Sequence, residues 1–219
     1  MSRVSLRLLG GTEARSATGA PLRLGTKKTF ALLAFLAIHA GRPQRRDKLM
    51  TLLWGDRPDV QARQSLRQAL WQIRGALGSA GDGDGPTGSG PLLQVDVDVI
   101  ALDPAAVDVD VVEFERLAAE GSPRSLGHAS DFYRGDLMEG LVLPDTGFDE
   151  WLRTERDRLR ELAVENLARL LGLQFQEGED EAAVQTALRL LALDPLQEAV
   201  HRTLIRLHRR QGRRGAALR

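Results

Sequence analysis

Gln64–Leu77 reads QSLRQALWQIRGAL, and its two faces have different chemistry. Leu66, Ala69, Leu70, Ile73 and Leu77 fall at i, i+3, i+4, i+7 and i+11, the spacing of a helix that buries one stripe. The spacing predicts a helix over about Val60 to Leu77. Its other face carries Gln64, Ser65, Arg67, Gln68, Trp71, Gln72 and Arg74 and holds no acid. A merely solvated helix surface mixes Glu with its cations, and an exposed Trp is ordinarily packed or engaged. Guanidinium and amide groups hydrogen-bond base edges bidentately in a major groove, while Arg and Ser also hold phosphates.

Working outward, Val4, Leu6 and Leu8 alternate as a short strand, and Leu22 and Leu24 suggest its partner after a Gly-containing turn. Thr26 is placed to cap a helix from Lys27 to Ala40, stopped by Gly41 and Pro43. Phe30, Leu33, Leu36 and Trp54 are expected in the core. A second helix fits Arg46 to Leu53 and breaks at Gly55–Pro58. After the helix expected at Val60–Leu77, Ser79–Gly90 (SAGDGDGPTGSG) is a loop composition. Leu92–Leu102 (LLQVDVDVIAL) then alternates and fits a hairpin turning near Asp96 and Asp98. Two strands, three helices and a hairpin, in that order, are a winged helix-turn-helix plan.

Charge supports this division. Met1–Gly78 holds 14 Lys/Arg against 4 Asp/Glu, a net of +10 in a chain that is formally neutral overall. Residues 79–187 hold 8 basic against 24 acidic groups, and residues 188–219 hold 8 against 2. Local charge sets the surface field, so the front end seeks a polyanion. Arg45 and Arg46 begin a helix, where cations oppose the helix dipole and a phosphate partner would offset that cost.

Beyond Asp103 the segments Val107–Ala119, Leu126–Leu137 and Trp151–Leu173 read as helices, with Pro104 and Pro123 as punctuation. A spacing of 34 residues then relates Leu170, Leu171 and Leu173 to Leu204, Ile205 and Leu207, Gly178 to Gly212, and Ala182 and Ala183 to Ala216 and Ala217. That period, with Pro195 ending a helix, resembles tetratricopeptide repeats. The second copy stops inside its second helix, which suggests a fragment of a longer protein.

Other chemistry is poorly supplied. The chain has no cysteine, so it has no disulfide, thiol nucleophile or thiolate metal site; a cytoplasmic home follows. Phe30–Ile38, its longest apolar run, is too short to span a bilayer, so no membrane partner is expected. Gly25-Thr26-Lys27 is not a phosphate loop. His39, His128, His201 and His208 show no paired-ligand spacing and read as surface or packed histidines. Neither an enzyme, a cofactor nor a metal is expected.

With these pieces in order, Lys27–Ala40 (KKTFALLAFLAIHA), Leu49–Trp54 and Gln64–Leu77 resemble the OmpR/PhoB-type winged helix. Val107–Leu117 (VDVDVVEFERL), Tyr133–Leu137 (YRGDL) and Glu150–Leu162 (EWLRTERDRLREL) resemble the bacterial transcriptional activator domain, the pairing found in SARP-class regulators. The resemblance implies a mainly α protein with small β sheets. Residues 1–103 would form a winged helix-turn-helix DNA-binding domain and residues 104–219 a TPR-like helical repeat domain.

The same resemblance implies promoter binding by the third helix, with Leu66, Leu70 and Ile73 inward and Arg67, Gln68, Trp71 and Gln72 toward the groove. Ser65 and Arg74 would face phosphate; Arg63, Gln64, Arg45 and Arg46 complete the candidate set. The helical domain would then serve dimerisation, or contact with RNA polymerase or another regulator. The chain departs from the family at the wing, where Asp96 and Asp98 replace the usual Gly-Tyr pair and basic residues. That departure motivates an alternative, a protein-interaction signalling module regulating a cyclase or ATPase effector beyond residue 219.

Overall fold

The computed structural model describes residues 3–78, 92–143 and 146–212. The Ser79–Gly90 stretch, Ala216 and Ala217 lie outside them. Two compact units emerge: Met1–Val112 with Gly135–Glu155, and Glu113–Arg134 with Arg156–Arg219.

The first unit is built on two small sheets and three helices. Strand β1 (Val4–Arg7) points Val4 and Leu6 into the core and lies between β2 (Glu13–Arg15) and β6 (Val107–Val109). Leu6 stands opposite Ala14 in the antiparallel pair and opposite Val109 in the parallel one. The expected partner strand at Leu22 and Leu24 is therefore displaced to Glu13–Arg15. Gly10, at φ 85°, turns the chain back at once, in a conformation glycine adopts without a Cβ penalty. The later segment adds only a Pro21 bridge to Arg15 and the Leu22 N–H donating to the Ala14 carbonyl at 2.8 Å.

Likewise the helix expected from Val107 begins at Asp110, because Val107–Val109 is taken by the sheet. Asp110 explains the switch from strand to helix. Its carboxylate is buried and accepts from the backbone N–H groups of Leu8, Leu9 and Val111 at 2.8–3.0 Å. Burial pushes this carboxyl above its ordinary range, and those N–H groups pull it back.

Helix α1 (Lys27–Ile38) is capped by Thr26, whose hydroxyl accepts from the Thr29 N–H. It buries Ala31 through Ala37 against α2 (Arg46–Trp54) and α3 (Asp59–Gly78). Leu49, Leu53 and Trp54 come from α2, and Ala62, Leu66, Ala69, Leu70, Ile73 and Leu77 from α3. Leu33 and Leu36 are core as expected, whereas Phe30 is half-buried. Each fully buried Leu contributes on the order of 2 kcal/mol. Trp151 adds an edge contact to Phe35 at 4.9 Å between ring centroids.

The second sheet has the order β3-β5-β4, from β3 (Gln44–Arg45), β4 (Leu93–Val95) and β5 (Val99–Leu102). The expected hairpin is present, with the Asp96 N–H donating to the Val99 carbonyl at 2.9 Å.

The second unit is helical. Helix α4 (Asp110–Glu120) contributes its residues from Glu113, and α6 (Thr146–Glu177) its residues from Arg156. Helix α5 (Pro123–Phe132) is capped by Ser122 and ends before Tyr133, so the helix expected at Leu126–Leu137 is shifted toward the N-terminus. Tyr133 turns out of the helix to place its ring 5.8 Å from that of Phe114. Buried Asn166 donates to the Leu126 carbonyl at 3.0 Å, tying α5 to α6.

Helices α7 (Asp180–Leu193) and α8 (Glu198–Arg210) complete the unit around Leu167, Leu171, Ala183, Val184, Ala187, Leu190, Val200 and Leu207. Ala183 and Ala187 are wholly buried, and their small size lets helices approach closely. Gly178 and Gly212, related by the 34-residue period, both adopt left-handed backbone at φ 79° and 72°, the helix-ending use of glycine.

Candidate nucleic-acid interface

The core stripe of α3 is satisfied inside the first unit, which leaves the opposite arc to solvent. Arg63, Gln64, Arg67, Gln68 and Arg74 are exposed, and Trp71 is 74% exposed. Val60, at 78%, extends this arc toward the start of the helix. A large aromatic held open beside three exposed guanidinium groups and two amides offers a stacking surface, charge and paired hydrogen-bond donors and acceptors on one helix.

Two predicted residues are less open. Gln72 is half-buried, and its Oε1 accepts from the buried Thr29 hydroxyl at 2.9 Å, linking α3 to α1. Ser65 is also half-buried and accepts from Arg57 Nη1 at 3.2 Å. In the sequence Arg57 falls in the break between helices at Gly55–Pro58. The only signal available was a cation eight positions before a serine, which has no diagnostic weight.

Arg45 and Arg46 separate in role. Arg45 is exposed and pairs with Asp47 at 3.1 Å, where solvent screens the interaction. Arg46 fastens the hairpin turn: its backbone N–H donates to the Asp98 carbonyl at 2.9 Å and its Nη1 to the Asp96 carbonyl at 3.1 Å. At the tip, Val97 is 84% exposed between the two aspartates.

Among the described residues no group of three or more His, Asp or Glu is arranged to hold a metal ion. His39 stacks on Phe35 at 4.4 Å, and His201 Nε2 lies 2.9 Å from the Pro195 carbonyl. No helix among the described residues is long and apolar enough to cross a membrane.

A winged helix-turn-helix followed by paired helices defines a two-part regulator architecture, and the sequence matches family models for both parts. "Transcriptional regulatory protein, C terminal" covers residues 19–85 and "Bacterial transcriptional activator domain" covers residues 109–219. The chain belongs to the bacterial transcriptional activator domain family.

Among its relatives is regulatory protein AfsR of Streptomyces coelicolor, 30% identical over 210 residues that make up 91% of this chain and 20% of AfsR. Transcriptional regulatory protein EmbR of Mycobacterium tuberculosis is 38% identical over 79 residues, 36% of this chain and 20% of EmbR. The chain thus spans about a fifth of the length of the curated relatives it matches. The structure of M. tuberculosis EmbR in complex with a low-affinity phosphopeptide matches with a TM-score of 0.75 at 24% identity, over 100% of this chain and 57% of that one. The two share a fold.

Proposed function

We propose that this chain is the DNA-binding and partner-binding part of a transcriptional regulator, with α3 entering the major groove of promoter DNA. The observation that carries the reading is the solvent-open arc of α3 from Arg63 to Arg74, which holds no acid and is centred on Arg67, Gln68 and Trp71. Arg67 and Gln68 read base edges, Trp71 packs against the groove wall, and Arg63, Gln64 and Arg74 extend the contact. Gln72 and Ser65 support it from the flank and Arg45 reaches phosphate. Residues 1–103 act as the DNA-binding domain. Residues 104–219 serve dimerisation or contact with polymerase or a second regulator, as a helical repeat surface suits. The names of AfsR and EmbR as regulatory proteins accord with this role.

A titration of promoter duplex at low salt tests it. Saturable, salt-sensitive binding that weakens in the Arg67→Ala/Gln68→Ala double variant supports the reading; absence of binding, or a variant that binds as the parent does, overturns it.

A further inference from the structure

Beside α3, the first unit contains an open cleft of about 370 Å³. Its walls come from the start of α1 (Thr26, Lys27, Lys28, Thr29), the end of α2 and the turn after it (Trp54, Arg57), one flank of α3 (Ser65, Gln68, Ala69, Gln72), and Val142 with Leu143. Three cations and no carboxylate line it. Lys28 is engaged, donating to the Leu53 carbonyl at 2.5 Å and lying 3.7 Å from Asp56. Lys27 and Arg57 are exposed. Arg57 is braced by its bond to Ser65, so the guanidinium is held at the rim without a carboxylate to neutralise it there. Gln68 belongs both to this cleft and to the exposed arc of α3, which makes the two surfaces continuous.

We infer that this cleft is a phosphate clamp for the DNA strand running alongside the helix: Lys27 and Arg57 take backbone phosphates while α3 occupies the groove. The inference rests on the DNA-binding reading of α3 and adds two residues that the recognition helix itself does not contain. Two exposed cations on one cleft suit this role because phosphate contacts fix register and orientation on the duplex without reading sequence. A braced Arg also loses less side-chain freedom on binding than an unbraced one. The cationic lining favours a polyanion over an apolar ligand, and the partial openness of a surface cleft admits a continuous backbone.

The test is a Lys27→Gln/Arg57→Gln variant of the full chain, titrated with promoter duplex and with an unrelated duplex across a salt series. Each phosphate contact contributes about 0.9 to the slope of log affinity against log salt. The expected result is a slope shallower by about 2, with affinity reduced by a similar factor, roughly tenfold or more at low salt, for both duplexes. The charge-preserving Lys27→Arg/Arg57→Lys variant should recover most of the slope. Thermal melting checks that both variants fold. An unchanged slope in a folded Gln variant that still binds DNA overturns the clamp and would release the cleft for an acidic peptide or other anion. Equal loss in the charge-preserving variant also overturns it. Failure of the parent to bind any duplex would instead remove the α3 reading, so the two failures are distinct.

Discussion

Single residues in the first unit divide into those that hold the fold and those left open to a partner. Gln72 and Arg67 are five positions apart on α3 yet fall on different sides of that line, because Gln72 is tied to Thr29 and Arg67 is exposed. Gln72→Ala should lower stability by about 1 kcal/mol through the lost bond to a buried hydroxyl, measured by denaturant unfolding, and change DNA affinity less than Arg67→Ala does. Trp71→Ala should show the reverse pattern. Its ring is 74% exposed, so stability should move by no more than about 0.5 kcal/mol while duplex affinity falls. Asp110→Asn should be costly, about 1–3 kcal/mol, because an amide presents N–H groups to backbone donors that a carboxylate accepts. The sequence alone could not show the Gln72 or Asp110 contacts, since their partners lie 43 and 102 residues away.

At the scale of elements, periodicity succeeded where a segment buries one stripe and failed where a few residues serve a sheet. The α3 stripe was legible because Leu66, Ala69, Leu70, Ile73 and Leu77 are all core. Strand β6 was not, because Val107-Asp108-Val109 runs straight into the acidic start of α4 and pairs with β1, about a hundred residues earlier. Strand β2 offers one buried Ala between charged residues, too short a pattern to outweigh the apolar Leu22 and Leu24. The 34-residue period was legible in part through its glycines. Gly178→Ala should cost about 1 kcal/mol in thermal unfolding, since its φ of 79° places a Cβ in the left-handed region.

The wing makes a further element-scale prediction. Asp96 and Asp98 put negative charge at the hairpin tip, which opposes approach to a phosphate backbone. Asp96→Asn/Asp98→Asn should therefore raise affinity for unrelated duplex, read by the same titration, while leaving the turn intact because Arg46 bonds to main-chain carbonyls. Unchanged affinity would place the tip away from the duplex.

For the molecule as a whole, formal neutrality conceals a +10 segment at residues 1–78, and the response to salt should report that segment rather than the total. Raising salt from about 50 to 200 mM should reduce duplex affinity by roughly a thousandfold if about six phosphates are contacted. The winged-helix and helical-repeat order was legible in the sequence, as the matches to both family models agree. The compact units cut that order differently, since Gly135–Glu155 joins the first. Nothing local in that stretch signals it: Trp151 reads as one more amphipathic-helix residue, and only the ring of Phe35, far back in α1, explains its place.

Arg46 gives the hairpin a mechanical property. One residue opens α2, continues directly from β3, and grips the turn between β4 and β5 through both its main chain and its side chain. The hairpin is thus a lever with its fulcrum on a helix start rather than a tassel on the surface. A change in the Asp96–Asp98 turn therefore bears directly on the first residue of α2, the helix that packs against α3.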